Sequence, residues 1–339
     1  MKTARFFIIL FLIVVAVAFT VDVYRSVFRP FSGFEPPLDV TIPPGRTVGQ
    51  IAALLADKGL ISRASYFKAY YRLFFADKTL KAGDYRFERP LTMAELIHRL
   101  NEGKVTLYKI VCQEGMTSRE IAGYLEKTLN TDARAFLAAC RKTELIKQLS
   151  PEAEDLEGYL FPDTYWVRRD MSAEDLVRLM VRRFQEKFSN SLIWRARDID
   201  FTVQHAVILA SLIEKESASR DERFLISSVF HNRLRLGMLL DCDPTIIYAL
   251  KKEGRYGGQL GWKDLKYDSP YNTRLHRGLP PGPICNPGLA SLEAALYPEN
   301  TRYLYFVAKD SRSHVFSQTL KEHNQAVRKY IIDRFHDVP

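Results

Sequence analysis

The chain has 339 residues, enough for one large domain or two modest ones. An apolar fraction of 47% and a charged fraction of 26% are those of a folded protein and exclude a disordered or low-complexity chain. A net charge of +9 suits an anionic partner such as an acidic bilayer or a carboxylate-bearing polymer, but the basic residues are scattered without any zinc-finger, RNP or basic-zipper pattern, which argues against nucleic acid.

Residues 1–5, MKTAR, precede an uncharged apolar run from Phe6 to Val21. With Val23 and Tyr24 beyond Asp22, the run approaches the ~20 residues that a spanning helix needs. The reading is a cytoplasmic N-terminus over 1–5 and a single transmembrane anchor over 6–24. Lys2 and Arg5 before the run and Arg25 and Arg29 after it give a slight bias in that orientation. A cleaved signal peptide is the rival, since AVA at 16–18 resembles a cleavage site, but the apolar run continues past it. Either reading puts the body of the chain outside the cytoplasm.

Residues 25–37 are rich in Pro and Gly and read as a linker. Two segments then share one plan: VTIPPGRTVGQIAALL (40–55) and KIVCQEGMTSREIAGYL (109–125) each join an apolar strand to G-x-T-x3-I-A-x2-L. Thr47 with Gln50, Thr92 with Glu95 and Thr117 with Glu120 have the spacing of helix-opening capping boxes. The region 38–105 resembles a LysM-like β/α module, a small fold that often holds glycan; a packing domain without a ligand is the equal alternative. Residues 130–195 read as mostly helical, interrupted by LEGYLFPDTYWV (156–167), which reads as a strand or hairpin entering a core. Residues 203–236 read as two helices, 267–288 as irregular Pro-Gly loop, 302–317 as two strands around a polar turn, and a last helix starts near Leu320. Helices and antiparallel strands in separate runs indicate an α+β protein.

Cys112, Cys140, Cys242 and Cys285 lie far apart without a CxxC pair, which excludes a zinc ribbon or thioredoxin-like motif. No HExxH, P-loop or GxSxG occurs, so neither metal, nucleotide cofactor nor serine nucleophile is expected. The chemistry points instead to VILASLIEKES (207–217), where an apolar helix stops in Glu-Lys-Glu. Residues two apart project about 200° apart on a helix, so Glu214 and Glu216 cannot face one cleft together. Glu216 extends the bulkier stripe of Leu209, Leu212 and Ile213, whereas Glu214 follows Val207, Ala210 and Ser211.

Ser219 and Glu222 have the spacing of a capping box for the following helix, which places Glu216 in a last helical turn. There, carbonyl dipoles and apolar neighbours both favour the neutral acid, as a general acid requires. The structural alternative is a Glu paired with a buried Arg233 or Arg274. A lone acid suffices where the sugar supplies its own nucleophile: the C6 hydroxyl of N-acetylmuramic acid can attack C1 and close a 1,6-anhydro ring. Ordinary glycosidases need a second carboxylate.

ASLIEKES, VFHNRLRLGMLLDCDPTIIYAL, YDSPYNTRLHRGLPPGPICNPG and YLYFVAKDSRSHVFSQTLKEHN occur in this order. Together they resemble the MltG/YceG family of endolytic murein transglycosylases, membrane-anchored peptidoglycan lyases. The resemblance covers nearly the whole chain and implies a catalytic region over 106–339, with Glu216 as the catalytic acid. It implies a role in ending the elongation of nascent glycan strands at the inner membrane, beside the peptidoglycan synthases. Asp243, Thr245, Tyr271, Asn272, His314, Phe316 and Asn324 match its motif positions and are the candidates for substrate contact. For Tyr271, Asn272 and His314 a turn or surface role is the alternative; for Asn232 and Arg233, helix bridging is favoured, and for Tyr159, Phe161, Tyr165 and Trp166, core packing. The chain departs from the pattern at Asp241 and Cys242, where Gln and Ser or Thr are usual, and at Cys285. A disulfide between Cys242 and Cys285 is one reading, buried free thiols the other. A hydrolytic muramidase using Asp241 or Asp243 as base, and a non-catalytic wall-binding scaffold, are the rival functions.

Overall fold

The computed structural model describes residues 2–333 except 218, 220, 221 and 311. It is a mixed α+β structure, mostly helical, with three two-stranded sheets among the described residues. The chain divides into two compact units. One comprises the residues up to Tyr108 with Trp166–Asp170; the other comprises Lys109–Tyr165 and the chain from Met171 onward.

The first unit opens with α1 (Lys2–Phe28), of which Phe6–Phe28 has a mean hydropathy of 2.9 and is long and apolar enough to cross a membrane. The helix runs past Tyr24 because nothing in DVYRSVF breaks it, and Val27 at its end is buried among the core residues of the unit. Strands β1 (Leu38–Ile42) and β2 (Gly83–Phe87) pair antiparallel, from Leu38 opposite Phe87 to Ile42 opposite Gly83. Strand periodicity of two sends Val40, Ile42, Tyr85 and Phe87 inward and Asp39, Thr41 and Arg86 outward. Helices α2 (Val48–Asp57), α3 (Ala64–Phe74) and α4 (Met93–Glu102) contribute Leu55, Phe67, Leu96, Ile97 and Leu100 to the same core. The capping boxes of Thr47 with Gln50 and Thr92 with Glu95 are both formed.

Strand β3 (Tyr108–Val111) leads into α5 (Ser118–Leu129), which opens on the third capping box, Thr117 with Glu120. Helix α6 (Ala133–Ala139) follows. The segment 156–167 is extended only in β4 (Thr164–Val167), the hydrogen-bonded neighbour of β3. Its first half, read from sequence as part of a strand or hairpin, is instead irregular, and Gly158 at φ +87° turns the chain there. Tyr159, Phe161 and Tyr165 are buried nonetheless, the core role favoured for them, whereas Trp166, also expected in the core, is exposed.

Helices α7 (Ala173–Lys187) and α8 (Asn190–Asp198) lead to α9 (Val203–Glu216), in which every residue from Ala206 to Ile213 is buried. Each fully buried Leu, Ile or Val there contributes about 1.5–3 kcal/mol. Around α9 pack α10 (Arg223–Arg235), α11 (Asp243–Lys252) and α12 (Leu289–Leu296). The expected hairpin is β5 (Tyr305–Ala308) with β6 (His314–Ser317), followed by α13 (Leu320–Val327), which starts at the expected residue and continues into a π-helical turn.

Three distant segments of this unit meet at Glu157. Its buried carboxyl accepts from Ser118 N at 2.9 Å and Asn286 Nδ2 at 2.9 Å, and burial pushes it up to about 8. Asn286 also donates to Met116 O and accepts from Leu160 N, both at 2.9 Å. Beside this knot, a Cβ on Gly158 would stand 2.6 Å from Pro283 Cγ and 2.7 Å from Val207 Cγ1. Gly158→Ala therefore combines left-handed strain with overpacking and should cost about 3 kcal/mol. Gly254→Ala, with φ +71° and no neighbour within 4 Å, should cost only about 1 kcal/mol. Thermal melts of the two variants check the difference.

Candidate active site

Helix α9 begins at Thr202, whose hydroxyl accepts from His205 N, and its last residue is Glu216. Ser217 leaves the helix in an extended conformation, and both its N–H and its hydroxyl donate to Ile213 O. Glu216 is thus in the last turn, as expected, but the capping box of Ser219 with Glu222 from which that was read does not form. Glu222 is not the third residue of the next helix but its N-cap, with no side-chain capping bond. Its carboxylate points elsewhere: it accepts from His314 N at 2.8 Å and lies 2.7 Å from His314 Nδ1.

The two glutamates of Glu-Lys-Glu have separate fates, as their 200° separation requires. Glu214 is buried in a fixed network, 2.9 Å from Arg223 Nη2 and accepting from Gly288 N at 3.0 Å. Glu216 has no ion-pair partner among the described residues. Arg274, one arginine considered for it, instead bridges Asp241 at 2.9 Å and Asp243 at 2.6 Å. Arg233, the other, donates to the carbonyls of Leu304, Leu239 and Leu240, with its guanidinium over the Tyr305 ring.

Burial raises the proton affinity of Glu216 most, and the Asp243 carboxylate raises it further. A hydrogen bond from the Cys242 thiol and the fields of His314 and Arg233 oppose this, but the carboxyl remains above its ordinary range. Cys242 reaches Glu216 because Asp241 takes φ +57° and turns the chain just before α11, with Cys242 as the N-cap. Cys242 and Cys285 are free buried thiols; the second lies 3.4 Å from Ser211 O.

The remaining sequence candidates divide by position. Asp243 and His314 act on Glu216 electrostatically, and Glu222 fixes the imidazole of His314. Thr245 is fully buried, its hydroxyl donating to Cys242 O at 2.6 Å. Asn272 is fully buried too, donating to Leu265 O and Tyr267 O and accepting from Arg274 N, the turn-stabilising arrangement. Tyr271 packs on Tyr248 at 5.1 Å, toward the far end of α11. Phe316 lies among Tyr303, Phe306 and His314 in the β5–β6 hairpin, and Asn324 is exposed on α13. Asn232 donates to Thr301 O and Tyr303 O, tying α10 to the loop before β5 rather than bridging two helices. Sequence reasoning missed Glu157 and assigned Glu222 to a capping box rather than to His314; their partners lie 129 and 92 residues away.

Comparison with known proteins adds an independent view. Residues 40–329 match the YceG-like family. The chain is 34% identical to an endolytic murein transglycosylase of Bacillus subtilis over 87% of this chain and 85% of that one. It is 29% identical to a Streptococcus pneumoniae protein of the same description over 86% of its length, covering 58% of that longer chain. The crystal structure of a yceG-like protein from Listeria monocytogenes superposes with a TM-score of 0.60 and 35% identity, over 85% of this chain and 98% of the other. An apolar helix that ends in one tethered and one unpaired glutamate thus occurs within a match spanning nearly the whole chain, and the chain belongs to the YceG-like family.

Proposed function

We propose that the chain is an endolytic murein transglycosylase, a lyase that cuts the bond between N-acetylmuramic acid and N-acetylglucosamine within peptidoglycan glycan strands. The observation that carries this reading is the state of Glu216: a carboxyl without an ion-pair partner among the described residues, at the end of a buried helix, holding its proton more tightly than usual. Protonated Glu216 gives its proton to the leaving glycosidic oxygen as the C1–O bond breaks. The C6 hydroxyl of the same muramoyl residue attacks C1, and its proton passes to the Glu216 carboxylate. The acid is regenerated, no water is consumed and a 1,6-anhydro end remains.

Engagement of Asp241 and Asp243 by Arg274 supports the intramolecular route over hydrolysis, since neither is left free to activate water. Apolar α1 supports an inner-membrane anchor with the body outside the cytoplasm, where nascent strands meet the synthases. The β1–α2–α3–β2 order of residues 38–87 supports a LysM-like module that holds glycan, with residues from Lys109 onward carrying the chemistry.

Glu216→Gln should lower cleavage by about 10²–10⁴-fold while leaving strand binding intact. Mass spectrometry of products from uncrosslinked strands checks this; reducing rather than anhydro ends from the wild type would mean that water is the nucleophile. Because the acid form is active, the rate should fall as pH rises through the elevated pKa of Glu216. Asp243→Asn removes a negative charge beside Glu216, so that alkaline limb should move to lower pH. Cys242→Ala removes a donor to the ionised form and should move the limb the other way. Shifts of the same sign in both pH–rate profiles would contradict this account of the site.

A further inference from the structure

A cavity of about 420 Å³ lies in the second unit where the start of α5 meets the end of α11. Leu137, Cys140 and Tyr248 give it apolar walls, and Ser118 and Glu157 lie buried among its lining residues. The Ser118 hydroxyl is more than nine-tenths buried and makes no hydrogen bond of good geometry among the described residues, although it lies close to the Cys140 thiol and the Glu157 carboxyl. A buried hydroxyl left in this state at a cavity wall is suited to a ligand's polar atom.

Four basic side chains and three acidic ones, Glu120, Asp155 and Glu157, line the cavity. Of the four basic side chains there, Lys251 is paired with Glu120 at 3.0 Å. Arg119 donates to the carbonyl of Lys252, and the Lys252 ammonium lies over the rings of Tyr248 and Tyr271. Arg119, Arg141 and Lys252 have no carboxylate within ion-pair distance among the described residues, although all three are exposed. Several cations over a partly apolar cavity suit a small ligand carrying carboxylates.

Helix α11 ties this cavity to Glu216. Its N-cap Cys242 and first residue Asp243 act on Glu216, while Tyr248, Lys251 and Lys252 line the cavity five to nine residues after Asp243, about 8–14 Å along the axis. A parallel track runs beside it, with Tyr271 against Tyr248 at the cavity end and Arg274 against Asp243 at the other. An extended peptide of three or four residues covers about 10–14 Å. We infer that this cavity is a subsite for the carboxylate-bearing peptide stem of the strand whose sugar lies at Glu216. The inference rests on the transglycosylase reading.

The test uses the full chain with two substrates, glycan strands bearing their stems and the same strands stripped of stems by an amidase. The double variant Arg119→Glu with Lys252→Glu should raise KM for stem-bearing strands about tenfold and leave cleavage of stripped strands unchanged. Equal effects on both substrates, or none on either, would overturn the subsite. Amidating the stem carboxylates should reproduce the loss with unaltered protein, which separates recognition from misfolding; unchanged KM on amidated strands would also overturn it. Failure of the underlying reading has a different signature, since the wild type would then cut neither strand.

Discussion

A helix buried on all sides has to end, and the end of α9 governs the arrangement of the second unit. Its apolar residues leave no solvent-facing side from Ala206 to Ile213, so α10, α11 and α12 pack around it. The backbone must nevertheless emerge, and its last carbonyls need donors. Ser217 supplies two to one carbonyl, and the glutamates of the final turn then face opposite ways. One meets a buried arginine and a loop N–H; the other meets a thiol, a shielded aspartate and the more distant charges of His314 and Arg233.

That second environment is a balance of opposed effects. Burial and Asp243 disfavour the charged form of Glu216, while Cys242, His314 and Arg233 favour it. None of the latter forms an ion pair with it among the described residues, because their strongest bonds are committed elsewhere. Arg233 is held by carbonyls, His314 by Glu222, and Asp243 is itself clamped by Arg274. Interactions beyond contact distance are weaker than a salt bridge, and burial therefore prevails.

Much of this was legible in the sequence where the physics is local. The three capping boxes lie within four-residue windows, and all three form where the spacing placed them. The stripe through Leu209, Leu212 and Ile213 separated Glu216 from Glu214 because helix geometry fixes their relative directions. The same local logic failed at Ser219 and Glu222, where the spacing of a capping box was present but a histidine 92 residues away held the carboxylate. Thr245 and Asn272 show a related limit. Their motif positions are compatible with sugar contact, yet both side chains are used in holding their own loops. The Glu157–Asn286 contact had no sequence signal, since nothing periodic links residues 129 apart.

The double anchoring of Glu214 couples helix phase to loop position. Its carboxylate holds Gly288 N, three residues after Cys285 and two after Asn286, so the Pro-Gly loop is registered against the rotational angle of α9. One residue inserted between Ile213 and Glu214 would turn both carboxylates by about 100°. Glu214 would leave Arg223 and Gly288, and Glu216 would turn away from Cys242. The tethered glutamate thereby acts as the index pin of the helix: it fixes which way Glu216 faces.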